Sequence, residues 1–354
     1  LAAVLALAAC GASNEDSGSG TDSGSDSSAA ELSGSLVGAG ASSQQSAMEA
    51  WQAGFEGEYP DVQFSYAPEG SGAGREQFIN GSADFAGSDA ALDEEELTAA
   101  SERCAGGEVF ELPNYISPIA VAFNVEGVDE LNLTPTVIAN IFNGTITTWN
   151  DQAIAADNPD ATLPATAITA VHRADDSGTT ENFTEYLYTV APDVWTSEPD
   201  GVWPLQGGEA AQGTSGVVDA VTNGTGTIGY ADASRAGDLG TVSVKVGEEY
   251  VPFSPEAAAA IVDASPFAEG RGEGDLAIEL DRATTAEGVY PIVLISYLIG
   301  CETYEDSEQA ALVKAYFEYM ASEEGQSVAA EAAGSAPISD TLSERVAAAV
   351  ELIS

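Results

Sequence analysis

Residues 168–180, Ile-Thr-Ala-Val-His-Arg-Ala-Asp-Asp-Ser-Gly-Thr-Thr, concentrate groups that could bind an oxyanion. The apolar start reads as a strand ending in Arg173, Asp175 follows in a turn, and Ser177, Gly178 and Thr179 open a helix. A guanidinium pairs two oxygens through a planar fork, and helix N-terminal N–H groups point outward to meet negative charge. Asp175 is placed to orient that fork. The same residues also suit an ordinary surface Arg173–Asp175 pair. His172 alternates away from Arg173 along the strand and is read as structural.

Three further junctions repeat the pattern of small residues between a strand and a helix. Gly38-Ala39-Gly40-Ala41-Ser42-Ser43 precedes a helical stretch carrying Met48, Trp51 and Phe55, so Ser42 or Ser43 either caps that helix or donates to a ligand. Gly70-Ser71-Gly72-Ala73-Gly74-Arg75 sits before Phe78 and Ile79. There Arg75 opposes the helix dipole and needs either an acidic partner or a place at the site. Asp84-Phe85-Ala86-Gly87-Ser88-Asp89 ends a strand ahead of an acidic helix starting near Asp93, and Asp89 is either a turn cap or a ligand acceptor.

The elements that carry these junctions alternate between strand-like and helical patterns, the rhythm of βαβ units with a parallel sheet and helices on both faces. Further strand-like runs lie at 119–124, 168–172, 226–230 and 290–299, and helical ones at 136–142, 179–190, 216–222, 309–322 and 343–353. No repeat of 20 to 50 residues is present. At roughly 150 residues per domain, 354 residues make about two domains, and 44% hydrophobic residues suffice for their cores. In open α/β sheets ligands sit where helix N-termini meet strand ends, which is where the four junctions fall.

Nine Lys plus Arg oppose 58 Asp plus Glu, a formal net charge of −49 that argues against nucleic acid as a partner. The acidity reads as a solvated surface suited to a saline habitat. One histidine and three cysteines cannot build a zinc cluster without heavy help from carboxylates, so no metal and no cofactor is expected.

Residues 1–10 form an apolar run closing in Leu7-Ala8-Ala9-Cys10, which resembles the bacterial lipobox, and 11–33 are rich in Gly, Ser and Asp. The expectation is a partial lipoprotein signal peptide, lipidation on Cys10 and a flexible tether. Export would leave Cys104 and Cys301 as a single candidate disulfide, with two separate buried thiols as the alternative.

The four junctions, together with Ile-Phe-Asn-Gly-Thr-Ile-Thr-Thr-Trp-Asn-Asp at 141–151, occur in an order that resembles the substrate-binding protein of the high-affinity phosphate ABC transporter, over roughly residues 34–354. That resemblance implies an α/β, two-domain periplasmic-binding-protein-like (type II) fold, with domain 1 at 34–117 and 290–354, domain 2 at 118–289, two strand-like hinges and a ligand cleft between them. It implies phosphate ligands at Ser42, Ser43, Ser71, Asp89, Arg173, Ser177, Gly178 and Thr179. Asp176 stands where the family commonly has Gly, and Ser42–Ser43 where some members have Thr and an aromatic residue.

The function implied is capture of inorganic phosphate and its delivery to permease subunits by a non-enzymatic, monomeric, lipid-anchored receptor on the extracytoplasmic face of the membrane. Asp89 would then select phosphate, because a protonated phosphate oxygen can donate to its carboxylate whereas sulfate brings no proton. The competing readings are a receptor for sulfate, molybdate or another oxyanion, a phosphatase using Asp89 or Ser177, and a surface adhesion protein.

Overall fold

The first strand, β1 (Gly34–Gly40), is apolar and rich in glycine, and it feeds α1 (Gln45–Glu58), whose Ala47, Met48, Trp51 and Phe55 recur at helical spacing and are buried. This computed structural model describes residues 32–354, so Cys10 and positions 11–31 of the expected tether lie outside the described residues. The first half continues with β2 (Val62–Ala67), α2 (Ser71–Ile79), β3 (Phe85–Ser88) and α3 (Glu94–Arg103). A reciprocal Asp93–Glu96 capping box starts α3.

β4 (Val109–Asn124) then leads to β5 (Glu130–Leu133), α4 (Pro135–Phe142), α5 (Gln152–Asp157), β6 (Thr169–Arg173) and α6 (Gly178–Val190). The second half goes on through β7 (Glu209–Ala211), α7 (Gly213–Asn223), β8 (Thr227–Asp232), a 3₁₀ turn at Ala233–Arg235, β9 (Gly240–Val246), β10 (Glu249–Val251) and α8 (Pro255–Ala264). β11 (Val293–Cys301) returns, and α9 (Ser307–Ala321), α10 (Glu323–Ala333) and α11 (Asp340–Val350) close the chain against the first half.

The strands run in the order β2-β1-β3-β11-β4-β8-β6-β7, with β9 pairing β4, β5 and β10. This corrects the expectation of a parallel sheet: β1 is parallel to β2 and β3, and β6 to β7 and β8, but β11 is antiparallel to β3 and β4, and β4 to β8. The reason is topological. β4 and β11 run through the middle of the sheet in opposite directions, so their ladders cannot be parallel. β4 pairs β11 as far as Pro118 and β8 from Ile119 onward, which makes it a member of both halves.

Each half has its own aromatic packing. Phe55, Phe64, Phe85 and Tyr316 cluster in the first, and Phe142, Phe183, Trp203 and Tyr230 in the second. Cys104 and Cys301 form a disulfide, Cα atoms 5.3 Å apart, tying the end of α3 to the end of β11. Among the described residues no helix is long and apolar enough to cross a membrane.

Candidate functional site

All four junctions meet between the halves. Arg173 ends β6 and is 3% exposed. Its Nε donates to Asp175 Oδ1 at 2.8 Å, its Nη2 reaches Asp175 Oδ2, and the same Nη2 donates across the divide to Ser42 Oγ at 3.1 Å. Asp175 also accepts from the Gly213 amide at 3.0 Å. Burial would raise the Asp175 carboxyl, but the bonds and charge of Arg173 overcome this and hold it below the usual range.

One residue along, Ser43 Oγ lies 2.7 Å from both oxygens of Asp89. Thr179 Oγ1, at the start of α6, donates to Asp89 Oδ2 at 2.9 Å, and Ser296 Oγ of β11 donates to Oδ1. Asp89 is buried, which pushes its carboxyl up, while these hydroxyls and Arg173 pull against that. Its own amide donates to Ser71 Oγ at 3.1 Å. Asp89 therefore faces hydroxyls from both halves beside the Arg173–Asp175 pair.

Ser177 caps α6, its Oγ accepting from the Thr180 amide at 3.3 Å, which leaves its O–H free to donate. Gly178 is a point of close approach between the halves. A Cβ there would lie 2.8 Å from Asp89 Cβ and 2.9 Å from the Ala90 amide nitrogen, so only glycine lets α6 approach β3. The unusual Asp176 is accommodated by Gly72, where a Cβ would come within 2.2 Å of the Asp176 carboxyl carbon. Arg75 binds Glu96 at 2.8 Å and Ser88 Oγ at 3.1 Å, which answers its need for an acidic partner.

His172 stacks on Trp203 with ring planes 9° apart, and its nitrogens face the carbonyls of Arg173 and Gly207. It is structural. The 141–151 motif serves packing: Trp149 is buried, tilted on Phe123, and donates to the Gly226 carbonyl at 3.0 Å.

Sequence reasoning missed Thr214 and Ser296. The Thr214 amide donates to Ser42 Oγ at 3.1 Å from the first turn of α7, a fifth strand-to-helix junction that follows a strand of three residues. Ser296 is a lone serine in the apolar run of β11, and that was the available signal.

A second buried carboxylate, Asp232, ends β8 opposite Ile119, where β4 changes partner. It accepts from Tyr115 at 3.2 Å and from the Ser234 amide at 3.0 Å. Burial pushes it up to about 6, with the Asp89 charge adding to the rise. A carboxyl raised on folding binds its proton more tightly in the folded than in the unfolded chain. Its contribution is therefore most favourable below the unfolded value and declines as pH rises through about 6. Replacing it, Asp232→Asn, should recover up to about 3 kcal/mol at pH above 7 and flatten the decline above pH 4. Urea midpoints across that range check this, and a variant whose pH profile parallels the original would refute it.

A family model described as a PBP superfamily domain matches residues 22–324. The Mycobacterium tuberculosis phosphate-binding protein PstS 3 is 35% identical over 360 residues, covering 99% of this chain and 96% of its own. The Xylella fastidiosa phosphate-binding protein PstS is 30% identical over 292 residues, covering 80% of this chain and 76% of its own. A solved phosphate-binding protein from Stenotrophomonas maltophilia, 20% identical, superposes with a TM-score of 0.67 over 89% of this chain and 94% of that one, a likeness of fold.

Proposed function

Because this chain belongs to the phosphate-binding protein (PstS) family of the PBP superfamily, we propose that it captures inorganic phosphate between its two halves and delivers it to the permease of an ABC transporter. The family is one of binding proteins rather than enzymes. One observation carries the reading: adjacent serines of the first half face two different groups, Ser42 the guanidinium of Arg173 and Ser43 the carboxylate of Asp89. An anion lying between them meets donors from both sides and one acceptor.

Burying a divalent anion is unfavourable by several kcal/mol unless its oxygens are matched by donors. Ser42, Ser71 and Ser177 offer hydroxyls, Ser43 and the start of α6 at Gly178 and Thr179 offer backbone N–H groups while the Ser43 and Thr179 hydroxyls hold Asp89, and Arg173 offers its fork. Asp89 checks for a proton. A protonated phosphate oxygen donates to it, whereas sulfate places a lone pair against a buried carboxylate.

The receptor reading includes the domain limits 34–117 with 290–354 and 118–289, supported by the change of partner along β4 at Pro118. It also includes a monomer exported to the extracytoplasmic face and held there by lipid on Cys10, which rests on the Leu-Ala-Ala-Cys run. Titration calorimetry with phosphate and with sulfate tests the core of the proposal. Phosphate should bind and sulfate should not, and Asp89→Asn should narrow that preference by about a hundredfold or more. Equal affinity for the two anions in the unsubstituted chain rejects the assignment.

A further inference from the structure

Behind the anion site a second set of buried polar groups joins the halves. Asn182, one turn into α6 from Thr179, donates through Nδ2 to the Asp89 carbonyl at 2.6 Å and to the Gly178 carbonyl at 2.8 Å. Its Oδ1 accepts from Arg282 Nη2. Arg282, 3% exposed, uses its other donors on Glu185 Oε2 at 2.7 Å and on the carbonyls of Pro291 and Val293 at 3.2 and 3.1 Å, where β11 begins.

The logic is one of donors and acceptors. A guanidinium cannot accept, so the Asn182 oxygen must face Arg282 and its NH₂ must face Asp89 and Gly178. Arg282 thereby fixes the amide in the one orientation that can bond the opposite half. The peptide groups flanking Asp89 are then held on both sides, the amide by Ser71 and the carbonyl by Asn182. Asp89, Asn182, Glu185 and Arg282 line a cleft of about 390 Å³ where the halves part, so the contact lies at the seam rather than deep inside either half.

We propose that Asn182, oriented by Arg282, is a positioning residue that latches the two halves across the Asp89 carbonyl and sets how long a captured anion stays. The inference rests on the phosphate-receptor reading and deepens it.

Stopped-flow measurement of inorganic phosphate association and dissociation on the full chain tests it. For Asn182→Ala, dissociation should accelerate about tenfold or more while association changes less than about twofold. Asn182→Asp keeps an acceptor for Arg282 but presents no N–H to Asp89, and should behave like the alanine variant. Arg282→Lys keeps a charge for Glu185 without the fork and should fall between. The melting temperature of the phosphate-loaded protein should drop more than that of the phosphate-free protein. Unchanged dissociation in both Asn182 variants, or equal drops in the two melting temperatures, reduces the network to packing and overturns the latch. If the unsubstituted chain fails to bind phosphate, the receptor reading falls, and this one with it.

Discussion

Arg173→Ala should weaken phosphate binding by roughly two to three orders of magnitude in calorimetry, equivalent to about 3–4 kcal/mol and within the range for removing one partner of a buried charged set. Arg173 is the guanidinium that reaches Ser42 across the divide. Its loss acts twice: the anion loses its charged partner, and the Asp175 carboxylate is left among buried groups with only the Gly213 amide and its immediate surroundings. The two effects are separable. Adding Asp175→Ala should recover folding stability without recovering affinity, whereas Arg173→Lys should retain the charge and lose the paired contact to both Asp175 and the anion. Recovery of affinity in the double variant would mean that Arg173 serves Asp175 and not the ligand.

Opening the disulfide should have the largest effect on stability. Cys104 and Cys301 are 197 residues apart, and closing so long a loop restricts the unfolded chain by about 5 kcal/mol in the chain-entropy estimate, against about 2–5 kcal/mol commonly lost on removal of a native bridge. The enclosed loop contains the whole second half, so the bridge ties the two ends of the first half together around it. A Cys104→Ser, Cys301→Ser double variant should denature at markedly lower urea. Its phosphate affinity, measured well below the melting temperature, should stay within about threefold, because neither cysteine contacts the site. A denaturation curve that reductant leaves unmoved would contradict this.

Much of the site was legible because its signals are local. A strand end, a small residue and a helix start can be read within six residues, and Ser42, Ser71 and Ser177 each stand at such a start. The contacts completing the site are not local. Asn182 meets Asp89 from 93 positions away and Ser296 from 207, and a polar side chain on a helix or strand carries no mark of so distant a partner. Sheet direction was misjudged for a related reason: alternation of strands and helices suggests parallel pairing but does not show which strands return through the middle. β4 was read only from Ile119, because Pro113 and Pro118 interrupt its apolar run. A proline cannot donate to a ladder. These two lie at the irregular register beside Tyr297 and at the change of partner, where the ladder is already broken or about to end. α8 and α10, rich in alanine, gave too little contrast between faces to be read as helices.

The paired run of β4 and β11, from Val109 against Cys301 to Pro118 against Val293, limits how the molecule can gape. Both strands of this ladder belong to the first half, which therefore moves as one piece, and the halves separate by bending where β4 leaves it at Pro118–Ile119 and where the chain re-enters it near Ile292. Such a pivot carries Arg173 away from Ser42 and Thr179 away from Asp89 on one arc. A half-swung jaw would strand the guanidinium and the carboxylate together, each without its cross-seam partner. Capture should therefore proceed between a fully parted and a fully shut jaw, with little population in between.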